Sequence, residues 1–202
     1  MGRRFDAAHG VVTQALLFLG ELDPESIGDA LAHATHYEPV PIRDANALFD
    51  ALPADAIRSA TFIDVGSGLG RAVFMAMARP FKQIVGIDVS GALLETAKDN
   101  LASLRNVKVA CRDVRLVHAD ARTYDYPPGN LVVFLYNPFD AAAFAATLDR
   151  IHARRNPAAT WLLYHTPVAA ALALLEGYDI VAQTPAYIVA RRDNSLRSVE
   201  AG

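Results

Sequence analysis

The sequence predicts an α/β domain: a seven-stranded, mostly parallel sheet with an antiparallel last strand, helices on both faces and a helical extension at the N-terminus. Three observations lead there. From Thr61 onward, seven short runs rich in β-branched and aromatic residues recur, most of them separated by stretches with helical spacing. Strands joined through helices run parallel and are buried on both faces. The last two runs are linked only around Thr184-Pro185, too short for a crossover helix, so that pair is expected to be antiparallel. The third observation is composition: 202 residues, 52% hydrophobic and 20% charged, suffice for one domain with a sizeable core.

Taken in order, the N-terminus predicts an amphipathic first helix within MGRRFDAAHGVVTQALLFLGEL, and a second segment runs from Pro24 to about His36. Two arginines before an apolar stretch invite comparison with a signal peptide. Thr13 and Gln14 interrupt that stretch, however, and no small-residue cleavage site follows. Tyr37-Glu-Pro-Val-Pro41 is extended, because each proline disfavours helix at the residue before it. Ile42 to Leu52 is helical by the spacing of Ile42, Ala45, Leu48 and Phe49, and Pro53 stops it. TFIDV is then a buried strand, followed by Gly66, Gly68 and Gly70 and a helix to about Arg79. QIVGID ends at Asp88, and Ser90 can cap a long helix carrying Leu93, Leu94, Ala97, Leu101 and Leu104 on one face. VRLVHA, LVVFLY and TWLLYH are further strands, with helices at 140–153 and 168–176, and YDIVAQ and AYIVAR complete the sheet. The expected divisions are a helical extension or lid at 1–58, a cofactor-binding domain at 59–193 and a tail at 194–202.

Charge and cysteine content narrow the function. A net charge of −3 argues against broad, charge-driven binding to nucleic acid or anionic lipid. Arg150, Arg154 and Arg155, and again Arg191, Arg192 and Arg197, form local basic clusters that read as solvated ends of elements rather than a phosphate track. One cysteine, Cys111, excludes an internal disulfide and any cysteine-based zinc cluster, and fits a reducing, cytoplasmic setting. His33 and His36 have no carboxylate or further histidine at ligand spacing, so no metal is assigned. No apolar run reaches the ~18–20 residues that span a membrane. The sequence carries no signal of oligomeric state.

The chemistry concentrates around Asp64-Val-Gly66-Ser67-Gly68-Leu-Gly70, which follows a strand and opens a helix. Glycines there let a ligand approach the main chain closely. Asp88, at the end of the next strand, is placed to accept hydrogen bonds from both ribose hydroxyls of a nucleoside. The dinucleotide fingerprint G-x-G-x-x-G needs a glycine where Arg71 stands, which counts against a nicotinamide-dependent oxidoreductase, the alternative enzyme class. The glycines stand instead as G-x-G-x-G, with Asp64 two residues ahead of the first. This resembles the first motif of class I S-adenosylmethionine-dependent methyltransferases over roughly residues 60–192.

That resemblance implies S-adenosyl-L-methionine as cofactor, its methionine part above the loop of Asp64, Gly66, Ser67, Gly68 and Gly70. It implies Asp88 at the ribose, Val89 beside the adenine, and Asp120 with Ala121 at the adenine edge. Asn137-Pro138-Phe139, after the fourth strand, falls where the family places the element between cofactor and acceptor. In amino-methyltransferases a related element uses the polar side chain and the proline carbonyl to accept from the target amine. Asn137 and Pro138 are therefore expected at the catalytic centre, with Asn137 also touching cofactor. Tyr37 is expected to close the site by stacking or through its hydroxyl, as in some seven-strand lysine methyltransferases. His165 is either a base, a group that orients the acceptor, or a hydrogen-bonded structural histidine. The expected activity is methyl transfer to an amine-type acceptor on a protein or small molecule, and a non-catalytic methyltransferase-like binding domain is the alternative outside enzymes.

Overall fold

Alternating side chains split the central strands cleanly between two cores. In the computed structural model, which describes residues 1–15, 17–18, 36–136 and 140–194 (backbone only at 17, 18 and 36), Phe62, Ile84, Val132, Phe134, Leu163 and Val189 face one way. Ile63, Val65, Val85, Ile87, Leu131, Val133, Leu135, Leu162 and Ile188 face the other. Successive residues of a strand point to opposite faces, so Phe62 and Ile63 serve different layers. Both faces being buried is what makes these strands read as continuous hydrophobic runs.

The elements are α1 (Gly2–His9), β1 (Leu17–Phe18), β2 (His36–Tyr37), α2 (Ile42–Asp50), α3 (Ala54–Ser59), β3 (Ala60–Val65), α4 (Arg71–Ala76), β4 (Gln83–Asp88), α5 (Gly91–Ser103), β5 (Val114–His118), β6 (Gly129–Tyr136), α6 (Ala141–His152), β7 (Pro157–His165), α7 (Ala169–Leu172), β8 (Asp179–Gln183) and β9 (Tyr187–Arg192). The main sheet has the order β5-β4-β3-β6-β7-β9-β8. Pairs from β5 through β7 are parallel, whereas β9 is antiparallel to both β7 and β8. The last strand thus inserts between its two neighbours instead of forming the edge. β1 and β2 form a separate antiparallel pair in which Leu17 opposes Tyr37.

Helices α2 and α4 cover the first face through Ala45, Leu48, Phe49, Val73 and Phe74. Phe49, Phe62, Phe81 and Phe134 meet there with ring centroids 5.2–6.3 Å apart. Helix α6 covers the second face through Phe144, Leu148 and Ile151. Helix starts follow the expected chemistry: Ser90 Oγ accepts from the Leu93 N–H at 3.3 Å, and Asp140 Oδ1 accepts from the Ala143 N–H at 2.9 Å. Ile84 is fully buried in the first core. Ile84→Val should cost about 1 kcal/mol of stability with the fold unchanged, read from the shift in a urea unfolding midpoint.

Several expectations need correction. The first helix stops at His9, far short of the apolar stretch it was expected to include. Gly10 takes φ 70° and donates its N–H to Asp6 O at 2.8 Å, and β-branched Val11, Val12 and Thr13 follow without regular secondary structure. The helix expected to reach Arg79 ends at Ala76, the one expected over 168–176 is a single turn at Ala169–Leu172, and an extra helix, α3, precedes β3. The segment from Pro24 lies almost wholly outside the described residues, as do His33 and Arg197. Arg154 is not a solvated helix end: it is 5% exposed and donates to the carbonyls of Ile151, Gly129 and Ala158 and to Thr160 Oγ1. Burial lowers its pKa to about 10. No described helix is long and apolar enough to cross a membrane.

Candidate active site

The glycine-rich loop leaves β3 at Val65 and folds back over the end of β4. Gly66 and Ser67 donate their N–H groups to Ile87 O at 2.9 and 3.0 Å. Gly66, Gly68 and Gly70 take φ of 73°, 50° and 91°, conformations that a side chain disfavours. Gly68 has a second reason to be glycine, since a Cβ there would clash with the edge of the Tyr37 ring. The loop presents few side chains, but one of them is notable: Ser67 Oγ is buried and has no hydrogen-bond partner among the described residues.

Two carboxylates converge beneath this loop. Asp88 Oδ2 accepts from the Gly68 N–H and Asp88 Oδ1 from the Ser90 N–H, both at 2.8 Å. Burial raises its pKa above the usual carboxylate range even though the N–H groups of Ser90 and Gly68 work in the opposite direction. Asp64 lies on the neighbouring strand, 4% exposed, and accepts from the Val73 N–H in the first turn of α4. Burial, and then the charge of Asp88, push Asp64 up to about 8. Among the described residues neither carboxylate forms an ion pair, so a ligand bringing hydroxyls or a cation would satisfy the pair.

A model for a methyltransferase domain matches residues 62–157, the stretch from β3 through the start of β7. The structure is similar to that of a putative methyltransferase, yhhF, from Escherichia coli, with a TM-score of 0.58 and 18% identity over 77% of this chain and 91% of that one. It is also similar to an RNA methyltransferase from Salinibacter ruber in complex with S-adenosyl-L-homocysteine (TM-score 0.54, 20% identity, 77% and 92% covered). A third likeness is to the N-methyltransferase NodS from Bradyrhizobium japonicum WM9, also in complex with S-adenosyl-L-homocysteine (0.57, 10%, 76% and 86%). No curated protein matches the sequence. Residues 62–157 thus match a methyltransferase domain, and the chain has the fold of class I S-adenosylmethionine-dependent methyltransferases.

The donor set fits S-adenosylmethionine: among the described residues Asp64 and Asp88 form no ion pair and the buried Ser67 hydroxyl has no hydrogen-bond partner, while Gly66 keeps the loop open to solvent where it leaves β3. Val89 is half-buried beyond Asp88, its carbonyl 2.8 Å from His118 Nε2, and Ala121 is buried at the head of the next loop. Asp120 is engaged within that loop. Its oxygens accept from Arg122 Nε at 2.9–3.0 Å and from the Arg122 N–H at 2.8 Å, so any ligand amine there shares the carboxylate with Arg122. Asn137, Pro138 and Phe139 lie outside the described residues.

Tyr37, expected to close the site, packs against the glycine loop. It is 8% exposed, its ring covers Gly68, and its hydroxyl donates to Thr13 O at 2.8 Å. Burial raises its pKa well above the ordinary value, so the hydroxyl stays protonated and acts as a donor. In sequence Arg71 marks only a break in the dinucleotide fingerprint. In the structure it is buried and reaches back to Thr13, Gln14, Val40 and Asp6, contacts 31 or more positions away in sequence that no local pattern announces.

His165 is held on both sides. Nε2 is 3.2 Å from Asp44 Oδ2, Nδ1 is 2.9 Å from Thr166 Oγ1, and the residue is 4% exposed. Its ring meets Tyr136 edge-on at 4.6 Å, and the two residues are direct neighbours across β6 and β7. Thr166 adopts φ 52°, an uncommon conformation for a β-branched residue, just past the carboxyl end of β7. Tyr136 is pushed up to about 12 by burial and then by the charge and hydrogen bond of Glu38. At Asp44 burial works upward, but hydrogen bonds from His165 and Arg43 prevail and hold the carboxyl below its ordinary value. Glu38, Asp44, Tyr136 and His165 thus form one cluster at the carboxyl ends of β6 and β7, which sequence reasoning found only in part.

Proposed function

We propose that this protein is an S-adenosylmethionine-dependent methyltransferase that transfers the methyl group to an amine-type acceptor on a protein or small molecule. The supporting observation is the cluster just before Asn137: the carboxylates of Glu38 and Asp44 sit with Tyr136 and His165 at the strand ends where α/β enzymes bind ligands. An amine is protonated in neutral water and cannot attack until it loses a proton. Carboxylates there attract the ammonium and offer its proton a destination, while Tyr136 keeps its own proton and orients Glu38. On this reading Asp88 holds the ribose of the cofactor, Asp64 and the loop of Gly66, Ser67, Gly68 and Gly70 the methionine part, and Val89, Asp120 and Ala121 the adenine. S-adenosylmethionine supplies an electrophilic methyl group on a sulfonium. Asn137 and Pro138 are assigned to the acceptor nitrogen, and Tyr37 to the cover of the site, within an N-terminal extension of residues 1–58.

The basic clusters favour such an acceptor over nucleic acid, because the charges of Arg150, Arg154 and Arg191 are engaged within the fold. Arg150 donates to Tyr124 O and pairs with Asp125, Arg154 is buried among carbonyls, and Arg191 pairs with Asp193. Incubation of the enzyme with methyl-labelled cofactor and a cell extract should place label in an acid- and base-stable N-methyl group, in protein or in a low-mass fraction. Label that ribonuclease releases, or that mild base removes as an ester, would refute the amine assignment.

A further inference from the structure

Arg71 hydrogen-bonds to three residues of the N-terminal segment and pairs with a fourth, and among the described residues it has no hydrogen bond to the main sheet. Nε donates to Thr13 Oγ1 at 2.8 Å, Nη1 to Val40 O at 3.3 Å and Nη2 to Gln14 Oε1 at 3.2 Å, with Asp6 Oδ1 3.5 Å from Nη2. Asp6 in turn gathers the same segment. Its carboxylate accepts from the N–H groups of Thr13 and Gln14 at 2.8 and 2.7 Å and from Thr13 Oγ1 at 2.6 Å. Thr13 is wholly buried, and its carbonyl receives the Tyr37 hydroxyl. From the other side Asn100 of α5 clasps Val12 through both its N–H and its carbonyl, at 2.8 and 3.0 Å, and donates to Leu69 O in the glycine loop at 3.1 Å. The segment, the Tyr37 ring and the loop are one connected unit, and Arg71 is its centre.

A guanidinium buried at 3% exposure is a costly way merely to fill space, since burial disfavours its charge and apolar groups of similar volume serve a core as well or better. What Arg71 adds is geometry: a planar fork of donors that fixes several backbone positions at once. We propose that Arg71 is a positioning residue for cofactor binding, holding residues 12–14 and, through Thr13, the Tyr37 ring as a preformed wall against Gly68. The inference rests on the assignment of the cofactor to the loop and to Asp88. Because the wall is set before the ligand arrives, binding does not bear the cost of ordering it, and the wall slows departure more than it aids arrival.

The test is calorimetric and stopped-flow binding of S-adenosyl-L-homocysteine to the full chain. Arg71→Met should weaken binding about 10- to 100-fold, chiefly through faster dissociation, with Arg71→Lys between it and the wild type. The double variant Arg71→Met/Tyr37→Ala should lose little more than the worse single variant, because both act through the same wall. A purely structural arginine would lower the melting temperature without this coupling. If Arg71→Met does not fold, Thr13→Val carries the test, since it removes the hydroxyl linking Arg71 to Asp6 while keeping the shape. A folded Arg71→Met or Thr13→Val protein that binds within about twofold of wild type overturns the proposal, as does full additivity with Tyr37→Ala. Asp88→Ala is the control: unchanged affinity there refutes the cofactor assignment itself, whereas its loss alongside an unaffected Arg71→Met refutes only the role of Arg71.

Discussion

Asp88→Ala should reduce the affinity for S-adenosyl-L-homocysteine by roughly 100- to 10,000-fold while leaving a folded protein. The magnitude follows from two hydroxyl donors on one buried carboxylate, each such charge-assisted bond contributing about 1.5–3 kcal/mol. The same substitution orphans the N–H groups of Gly68 and Ser90, which Asp88 now satisfies at 2.8 Å, so the melting temperature should fall as well. Asp88→Asn separates the two effects. It keeps one acceptor oxygen for the backbone but replaces the other with a donor and removes the charge, so it should recover part of the stability and little of the affinity. Titration calorimetry on both variants, with circular dichroism to confirm folding, gives the comparison. An Asp88→Ala protein with near-normal affinity would show that the ribose is not bound at the end of β4.

The sheet and the loop were legible because their determinants are local. Phe62 and Ile63 announce a doubly buried strand by sitting side by side, and Asp88 declares itself by ending one such run. Helix caps at Ser90 and Asp140 are equally local, and both are seen. The order of the last strands was not legible in that way. A short link shows that β8 and β9 are antiparallel, but whether β9 lies outside β8 or between β7 and β8 depends on which face Ile188 and Val189 can fill. Charged residues were the least legible. Arg154 reads as a solvated helix end in sequence, and it is buried because the Gly129 carbonyl and groups of the following turn and strand close around it, whereas Arg71 is closed in by Thr13 and Val40 from the N-terminal segment. His165 shows the same limit: its place at a strand end was readable, but its bonds to Asp44 and Thr166 were not.

Binding of S-adenosylmethionine should release a proton below pH 8 and strengthen as pH rises from about 6 to 7.5, by up to about tenfold per unit. The sign comes from Asp64, which burial and the charge of Asp88 push up to about 8. Its pKa is higher in the folded than in the unfolded chain, so between the ordinary carboxylate value and 8 the folded state holds the extra proton. Asp64 therefore favours folding of the free protein at low pH, and that contribution is lost as pH climbs through 8. A cationic cofactor beside Asp64 favours the ionised form and lowers the pKa, so below 8 the proton must leave as the ligand binds. Above 8 Asp64 is already ionised and the dependence should level off. Calorimetry in phosphate and in Tris, whose ionisation enthalpies differ widely, reads the proton count directly. Asp64→Asn should abolish both the release and the slope. Equal heats in the two buffers at pH 7 would show that Asp64 does not meet the charge of the cofactor, and would move the methionine end away from the start of α4.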